Sequence, residues 1–280
     1  MVTEQRVQRL RSVRHLIVDM DGVLYRGDAP MPGLQAFLAF LRAHDIAFQL
    51  VTNNATLSTG MYVKKMARMG VDVPEECVLT SAIAAVDHIA ARHPRGSHVY
   101  AIGEEGLMDA LQQAGMVLSR QDPIAVVVSM DHDITYAKLR EATLLIRSGV
   151  PFIATNPDLT LPVPEGLVPG AGSIIAAVAA ASGQKPLIVG KPEPLLMERA
   201  MARMGAAPET TAAVGDRLET DVLSARRARV LSILVLSGAS QRAQLAGSEV
   251  QPDIVLDDIR SLVAGWQRVL EGGAASTRDR

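Results

Sequence analysis

The feature that most constrains the fold is a series of short, wholly apolar runs that alternate with segments of helical spacing. The runs 16–18 and 46–51 enclose a stretch whose apolar positions follow the i, i+3, i+4, i+7 pattern of a helix with one buried face, namely Leu34, Phe37, Leu38 and Leu41. Continuous apolar runs, rather than strict alternation, are typical of parallel strands covered on both faces. The sequence therefore predicts an α/β fold with an open parallel sheet.

The same alternation continues along most of the chain. Later apolar runs, each interpreted as a buried strand, are 99–102, 124–128, 152–154, 187–189, 211–214, 231–236 and 254–256. Helical spacing separates most of them, as in the segments around Leu139 and Leu262. The tail after Gly272 is small and polar, which predicts no regular structure there.

Composition limits the partners that the chain can have. It has 28 Lys and Arg against 30 Asp and Glu, so no basic excess is available to neutralise a duplex. Aromatic residues make up only 3%, too few for stacking platforms on single strands. Cys77 is the one cysteine, which excludes an internal disulfide and a zinc site built on cysteines. We expect no nucleic-acid partner.

Membrane and export signals are not expected either. Residues 1–14 are charged and lack the apolar centre of a signal peptide. The longest uncharged stretch, 166–184, contains Pro169 and several glycines, and its apolar part is too short to span a bilayer. We therefore expect no membrane partner and a cytoplasmic location.

Polar residues follow four of the predicted strands, where open α/β sheets bind their ligands. The clusters are Asp19-Met20-Asp21-Gly22, Thr52-Asn53-Asn54, Gly190-Lys191-Pro192 and Gly215-Asp216-Arg217, with Asp221 close behind the last. Each cluster alone is also an ordinary turn or helix cap. Together they favour phosphoryl transfer, because carboxylates bind Mg²⁺, a lysine neutralises phosphate charge, and a carboxylate can itself become phosphorylated.

These clusters resemble the four motifs of the haloacid dehalogenase superfamily. The strings Ala154-Thr155-Asn156-Pro157-Asp158 and Val189-Gly190-Lys191-Pro192-Glu193-Pro194 narrow the resemblance to the NagD-like, p-nitrophenyl phosphatase branch, over residues 16–257. The resemblance implies a Rossmann-like core with a smaller inserted α/β cap of the C2 type. We place the core at 1–80 and 186–280 and the cap at 81–185. In this branch the cap closes over the site, excludes water and selects the leaving group.

The resemblance also implies roles for the carboxylates. Asp19 corresponds to the nucleophile and to a Mg²⁺ ligand. Asp21 corresponds to the general acid/base, and its backbone carbonyl corresponds to a second ligand. Asp216 corresponds to the remaining metal carboxylate. Asp221 is expected to support the ligands, and whether it also contacts the metal stays open.

The other implied roles concern the substrate. Thr52 and the backbone of Asn53 correspond to the phosphate-binding pair, and Lys191 to the lysine that neutralises nucleophile and phosphate. The residues expected to contact the rest of the substrate are Asn54, Met130, Asn156 and Leu161. The alternative for Met130 and Leu161 is that they form part of the core of the cap and do not line the pocket. Relatives that hydrolyse pyridoxal phosphate carry an aromatic residue and a histidine in place of Met130 and Leu161, so we expect broad activity without a preference for pyridoxal phosphate.

The function implied is Mg²⁺-dependent hydrolysis of small phosphomonoesters, such as p-nitrophenyl phosphate and sugar or nucleoside monophosphates, through an aspartyl-phosphate. A phosphomutase of the same fold is an alternative. A receiver-type signalling module is a second alternative, because such domains also combine an acidic pair, a threonine and a lysine on a parallel sheet. Their phosphorylated Asp follows a middle strand and they carry no large insertion, which counts against that alternative. Dimers through the cap are common in the branch, so the oligomeric state stays open.

Overall fold

A computed structural model describes residues 7–163 and 165–275. The chain divides into two compact units, one of Met1–Val51, Val63–Val78 and Pro192–Arg280 and the other of Thr52–Tyr62 and Leu79–Lys191. The strands are β1 (His15–Asp19), β2 (Tyr25–Arg26), β3 (Ala29–Pro30), β4 (Ala47–Thr52), β5 (Val78–Thr80), β6 (His98–Ile102), β7 (Val117–Leu118), β8 (Val126–Val128), β9 (Phe152–Ala154), β10 (Thr160–Val163), β11 (Gly166–Pro169), β12 (Leu187–Ile188), β13 (Thr211–Gly215), β14 (Leu231–Val235) and β15 (Ile254–Leu256).

The α-helices are α1 (Leu34–Ala43), α2 (Thr59–Arg68), α3 (Ser81–Ala90), α4 (Glu105–Gln113), α5 (Tyr136–Arg147), α6 (Ala171–Ser182), α7 (Leu195–Met204), α8 (Leu223–Arg227), α9 (Arg242–Leu245) and α10 (Ile259–Ala275). Short 3₁₀ turns cover Gln8–Ser12, Glu75–Cys77 and Pro208–Thr210, and one π-helical turn covers Leu218–Val222. None of the helices in the described ranges is long and apolar enough to cross a membrane.

The first unit is built on a six-stranded sheet in the order β15-β14-β13-β1-β4-β5. The pairs β1–β13, β1–β4, β13–β14 and β14–β15 are all parallel. Leu16, Ile17 and Val18 of β1 are fully buried, so both faces of this strand are covered. The predicted α/β class with a parallel sheet is confirmed. The apolar run of β1 is continuous because the strand is covered on both faces, as the sequence indicated.

Helices α1 and α10 pack in the core of this unit. The predicted apolar stripe of α1 is buried, and Phe40 extends it. The Phe40 ring lies 5.7 Å from that of Trp266 on α10, centroid to centroid, in a tilted arrangement. Trp266 is 1% exposed, and an aromatic pair of this kind contributes beyond its buried area.

The second unit has its own five-stranded sheet in the order β12-β9-β8-β6-β7, with parallel pairing. A cluster of buried apolar residues joins its strands to α5 and α6, and it includes Val126 and Val128 of β8, Ile146 of α5 and Ile175 of α6. Helix α5 begins at an N-cap threonine, Thr135, whose side chain accepts a hydrogen bond from the Lys138 backbone N–H. Asp131-His132-Asp133 therefore leads into a capped helix.

Several short strands were not predicted from the sequence. β5 adds a sixth strand to the first sheet, and β7 adds an edge strand to the second. Strand β10 follows the predicted strand 152–154 and forms an antiparallel hairpin with β11, which the sequence did not predict. Strands of two to four residues are too short to show a period, which is why they were missed.

The end of the chain also differs from the expectation. Helix α10 continues to Ala275, so residues 273–275 are helical although the composition predicted an irregular tail after Gly272. Residues 276–280 of that tail lie outside the described residues.

Candidate active site

Strands β1 and β13 end side by side. Val18 pairs with Val214 in parallel register, so Asp19, the last residue of β1, is level with Gly215, the last residue of β13. Asp216 follows directly. Since the carboxyl ends of parallel strands meet at one edge of a sheet, two of the predicted carboxylates share this edge.

Asp19, Asp216 and Asp221 form a cluster of buried carboxylates. One oxygen from each lies within 4.8 Å of the others. Their exposed fractions are 8%, 5% and 4%. Buried carboxylates at this separation repel one another unless a cation lies among them, and an all-oxygen donor set is the one that Mg²⁺ prefers. The residues present therefore fit a hard divalent cation.

Backbone groups orient two of these carboxylates. The Ala239 backbone N–H donates to Asp216 Oδ2 at 2.6 Å, and the Ser240 N–H donates to the Asp216 carbonyl at 3.0 Å. Asp221 lies on the π-helical turn, where its Oδ2 accepts from the Arg217 backbone N–H at 3.1 Å. Bonds of this kind fix the carboxylates in positions where a metal could use them as ligands.

Glycines make room for Asp216. A Cβ on Gly22 would collide with the Asp216 carboxylate, and a Cβ on Gly238 would do the same. Gly22 also has a φ of +79°, a conformation that side chains disfavour. The Ser237 hydroxyl donates to the Gly22 carbonyl at 2.8 Å, so the loop after β14 is tied to the turn after β1.

Asp21 differs from its neighbours because it is exposed. It forms an isolated bridge with Tyr25, and the Gly22 backbone N–H donates to the Tyr25 carbonyl at 2.8 Å. This tight turn begins directly after β1, so Asp21 lies two residues beyond Asp19, the last residue of that strand. Its exposure makes the Asp21 carboxylate accessible to both water and a ligand.

The second unit contains the threonine, amides and lysine of the predicted phosphate site. Thr52 is buried at the end of β4, and its Oγ1 accepts from the Asn54 backbone N–H at 3.1 Å. Lys191 is 3% exposed. The Asn53 side chain bonds to both backbone groups of Lys191, with Nδ2 donating to its carbonyl and Oδ1 accepting from its N–H, each at 2.8 Å. The structure thus brings Asn53 and Lys191 together.

The residues expected to contact the leaving group have different environments. Asn156 is buried and its Nδ2 donates to the Asn53 carbonyl at 2.8 Å. Met130 is half-buried and packs against the apolar cluster of the second unit. Leu161 is 39% exposed on β10. Asn54 accepts hydrogen bonds from the backbone and hydroxyl of Thr56 through its Oδ1, so that oxygen stabilises the loop itself.

Two other groups have structural partners. Asp131 is buried and pairs with Lys138 Nζ at 2.7 Å, and His132 pairs with Glu104. Burial, followed by the charge of Glu76, raises the pKa of the Cys77 thiol despite the opposing charge of Arg42, so this thiol is not activated.

Sequence reasoning missed two contributors. The loop 238–240 supplies backbone donors to Asp216, and Asp158 contacts Asn53. The sequence held one indication of the loop 238–240. Ser237-Gly238-Ala239-Ser240 follows the apolar run 231–236, and the segments that follow such strands bind ligands in open α/β sheets.

Comparisons with known proteins indicate the family of this chain. A family model described as haloacid dehalogenase-like hydrolase matches residues 16–117, and a related model, described as HAD-hydrolase-like, matches 188–262. An acid sugar phosphatase of Staphylococcus aureus is 34% identical over 260 residues, which is 92% of this chain and 100% of that protein.

Solved structures of related proteins are also similar to this chain. A 4-nitrophenylphosphatase from Thermotoga maritima is 38% identical, with a TM-score of 0.86 over 91% of this chain and 98% of that one. NagD from Escherichia coli K-12 is 32% identical, with a TM-score of 0.83 over 88% of this chain and 97% of that one. At these identities the likeness extends to the family as well as the fold. The resemblance first noted in the motifs is thereby confirmed, and the chain belongs to the haloacid dehalogenase-like hydrolases, in their NagD-like branch.

Proposed function

We propose that this chain is a Mg²⁺-dependent phosphatase that hydrolyses small phosphomonoesters. The observation that carries the proposal is the cluster of buried carboxylates formed by Asp19, Asp216 and Asp221 at the ends of β1 and β13. The substrate class is supported by the relatives, one an acid sugar phosphatase and another a 4-nitrophenylphosphatase. The proposed substrates are p-nitrophenyl phosphate and sugar or nucleoside monophosphates.

Asp19, Asp216 and the carbonyl of Asp21 would hold the ion, and Asp221 is close enough to the other two carboxylates to join them. When bound, Mg²⁺ would supply positive charge that offsets the charge of the carboxylates and of the phosphoryl oxygens. This assignment is the one expected from the sequence, in which a direct ligand role for Asp221 stays open.

In the first half of the proposed reaction, one Asp19 oxygen attacks phosphorus. The bond from phosphorus to the ester oxygen breaks, and Asp21 gives its proton to that oxygen as the alcohol leaves. Covalent catalysis of this kind replaces one difficult step by two easier ones. The product is an aspartyl-phosphate on Asp19.

In the second half, Asp21 takes a proton from water as the water oxygen attacks the phosphoryl group. The acyl-phosphate bond breaks, which restores the Asp19 carboxylate and releases inorganic phosphate. Thr52, the Asn53 backbone and Lys191 would bind the phosphoryl oxygens throughout. Positively charged and N–H donors are most effective where charge develops, and Lys191 is held in a largely buried position.

Selection of the leaving group is assigned to an inserted cap at 81–185, with the core at 1–80 and 186–280. The assignment is supported by four strands of the second unit's sheet, β6 to β9, and by its buried apolar cluster, all of which lie within 81–185; the fifth strand, β12, lies just beyond that range. Its Met130 and Leu161 are proposed to contact the leaving group. Neither side chain donates a hydrogen bond, and methionine adapts to varied apolar shapes, so broad selectivity follows.

The test is the release of inorganic phosphate from p-nitrophenyl phosphate, with Mg²⁺ and after its removal by a chelator. We expect steady release only with the metal, and release at background level from Asp19→Asn, which lacks the nucleophile. The matched control is Asp28→Asn, because Asp28 is an exposed carboxylate in the turn between β2 and β3.

Three outcomes would contradict the proposal. An Asp19→Asn protein that keeps about a tenth of the normal rate would exclude Asp19 as the nucleophile. Transfer of the phosphoryl group to a second sugar without release of phosphate would indicate a phosphomutase. A single stoichiometric phosphorylation without turnover would indicate a receiver-like module.

A further inference from the structure

The Asn53 side chain binds one residue through both of its polar atoms. Nδ2 donates to the Lys191 carbonyl and Oδ1 accepts from the Lys191 backbone N–H, both at 2.8 Å. Such a pair of opposite bonds fixes the position of the Lys191 main chain, from which the long lysine side chain extends. Gly190 lies so close that a Cβ there would meet Asn53 Oδ1 at 2.6 Å, which leaves this segment little space to shift.

Asp158 accepts from the same amide. Its Oδ2 lies 3.1 Å from Asn53 Nδ2. The amide nitrogen has two hydrogens, and the Lys191 carbonyl and the Asp158 carboxylate take one each. If the amide were rotated by half a turn, Oδ1 would face both the carboxylate and the Lys191 carbonyl, and the contacts would be repulsive. The acceptor oxygen of Asp158 therefore favours the orientation in which Asn53 can hold Lys191.

Asp158 is itself anchored without help from Asn53's amide. Its backbone N–H donates to Asn156 Oδ1 at 3.2 Å, and its carbonyl accepts from the Gly172 N–H at 2.8 Å, at the start of α6. A Cβ on Gly172 would meet backbone atoms of Pro157 and Asp158, so the segment rests closely on the helix. The carboxylate is thus presented from a fixed backbone.

We propose that Asp158 is a positioning residue for the phosphatase reaction: it orients the Asn53 amide, which holds Lys191 in place. This inference rests on the proposed function, in which Lys191 neutralises the phosphate. Asp158 acts only through Asn53 and does not touch the substrate. All of the contacts that carry the inference lie within the second unit.

The experiment compares Asp158→Ala with Asp158→Asn. Asparagine keeps an acceptor oxygen for Asn53 Nδ2, whereas alanine removes it. We expect Asp158→Ala to lower kcat/KM for p-nitrophenyl phosphate by about 10- to 100-fold, since a small displacement of a catalytic group has effects of this size. Asp158→Asn should stay within about threefold of wild type. The matched control is Asp109→Ala, because Asp109 is a half-buried carboxylate of the same unit on α4.

A double-mutant cycle separates positioning from general stability. If Asp158 acts through Asn53, then Asn53→Ala and the double variant Asn53→Ala/Asp158→Ala should have the same kcat/KM. If the double variant instead loses kcat/KM by the product of the two single losses, the inference is overturned. Asp158 would then act independently of Asn53, for example by touching the substrate. Equal losses in Asp158→Asn and Asp158→Ala would overturn it as well.

A second pair of variants covers the case in which Asp158→Ala does not fold. Asn53→Asp places a carboxylate against both Asp158 and the Lys191 carbonyl, and adding Asp158→Asn relieves only the first of these two contacts. The double variant should therefore regain about threefold in kcat/KM over Asn53→Asp alone while staying well below wild type, and an activity equal to that of Asn53→Asp would contradict the coupling of Asp158 to Asn53.

Failure of the proposed function has a different signature. A wild-type chain without Mg²⁺-dependent phosphate release would overturn that function, and the role assigned to Lys191 with it. An active wild type in which the cycle gives independent losses would overturn the positioning role alone.

Discussion

Two features of Gly22 constrain its replacement, its positive φ and its close contact with Asp216, and an experiment can separate them. Its φ is +79°, and a Cβ at this position would collide with the Asp216 carboxylate. Gly27, five residues on, has a φ of +57°, but no described atom lies within 4 Å of a Cβ built there. The two glycines share backbone strain and differ in the contact with Asp216.

We predict that Gly22→Ala lowers both stability and turnover, whereas Gly27→Ala lowers stability alone. Backbone strain costs each variant about 1 kcal/mol, and only Gly22→Ala must also displace a carboxylate of the proposed metal site. Urea unfolding gives the first quantity and phosphate release gives the second. Equal turnover in the two variants would mean that the position of Asp216 tolerates a shift.

At the scale of elements, Asp253 ties the edge strand β15 to β14. Its Oδ2 accepts from the backbone N–H and the hydroxyl of Ser232 at 2.9 and 2.8 Å, and its Oδ1 accepts from Arg9 at 2.6 Å. Burial alone raises the pKa of the Asp253 carboxyl, but these bonds and the charge of Arg9 outweigh burial and lower it below its ordinary value. The ionised carboxylate therefore stabilises the sheet edge.

The sign of the pH dependence follows from that lowered pKa. The stabilisation is complete above the unfolded-state pKa of about 4 and is lost as the pH falls through the lower folded-state value. We predict that Asp253→Asn lowers the free energy of unfolding by about 1 kcal/mol at pH 7, and that the difference from wild type shrinks below about pH 4. Asp257→Asn is the control, since Asp257 is 78% exposed in its pair with Arg242 and should change little.

The hairpin of β10 and β11 offers a test of leaving-group selection. Leu161 pairs with Val168 and Leu167 pairs with Pro162, so the two leucines lie on opposite faces of the hairpin. We predict that Leu161→His raises activity on pyridoxal phosphate relative to p-nitrophenyl phosphate about fivefold, the effect of one net hydrogen bond of about 1 kcal/mol. Leu167→His should leave the ratio unchanged. A native preference of a hundredfold for pyridoxal phosphate would contradict the expected breadth.

For the whole molecule, the carboxylate cluster predicts that metal binding stabilises the fold. A ligand that binds only the folded state at a hundred times its Kd adds about 2.7 kcal/mol, which corresponds to several degrees in a chain of this size. We expect Mg²⁺ to raise the Tm of wild type and of Asp28→Asn by several degrees. It should raise the Tm of Asp216→Asn much less. An equal shift in all three, measured by calorimetry, would place the ion elsewhere.

The sequence alone predicted the fold class, which is confirmed, and it predicted the residues proposed for the site. The fold class was accessible because parallel strands buried on both faces must be continuously apolar, as in β1, and such runs are readable without coordinates. The positions of Asp19, Thr52, Lys191 and Asp216 were accessible because each follows such a run, where parallel strands present their ligands.

Only the tertiary structure revealed the contacts that hold these residues in place. The loop 238–240 binds Asp216 although more than 20 positions separate them, and Asp158 meets Asn53 across 105 positions. Neither contact leaves a local period in the sequence, because a single glycine or carboxylate in a turn has the same local pattern whether or not it has a distant partner. Strand ends follow from local periodicity, whereas the partners of a side chain depend on which segments the completed sheets bring together.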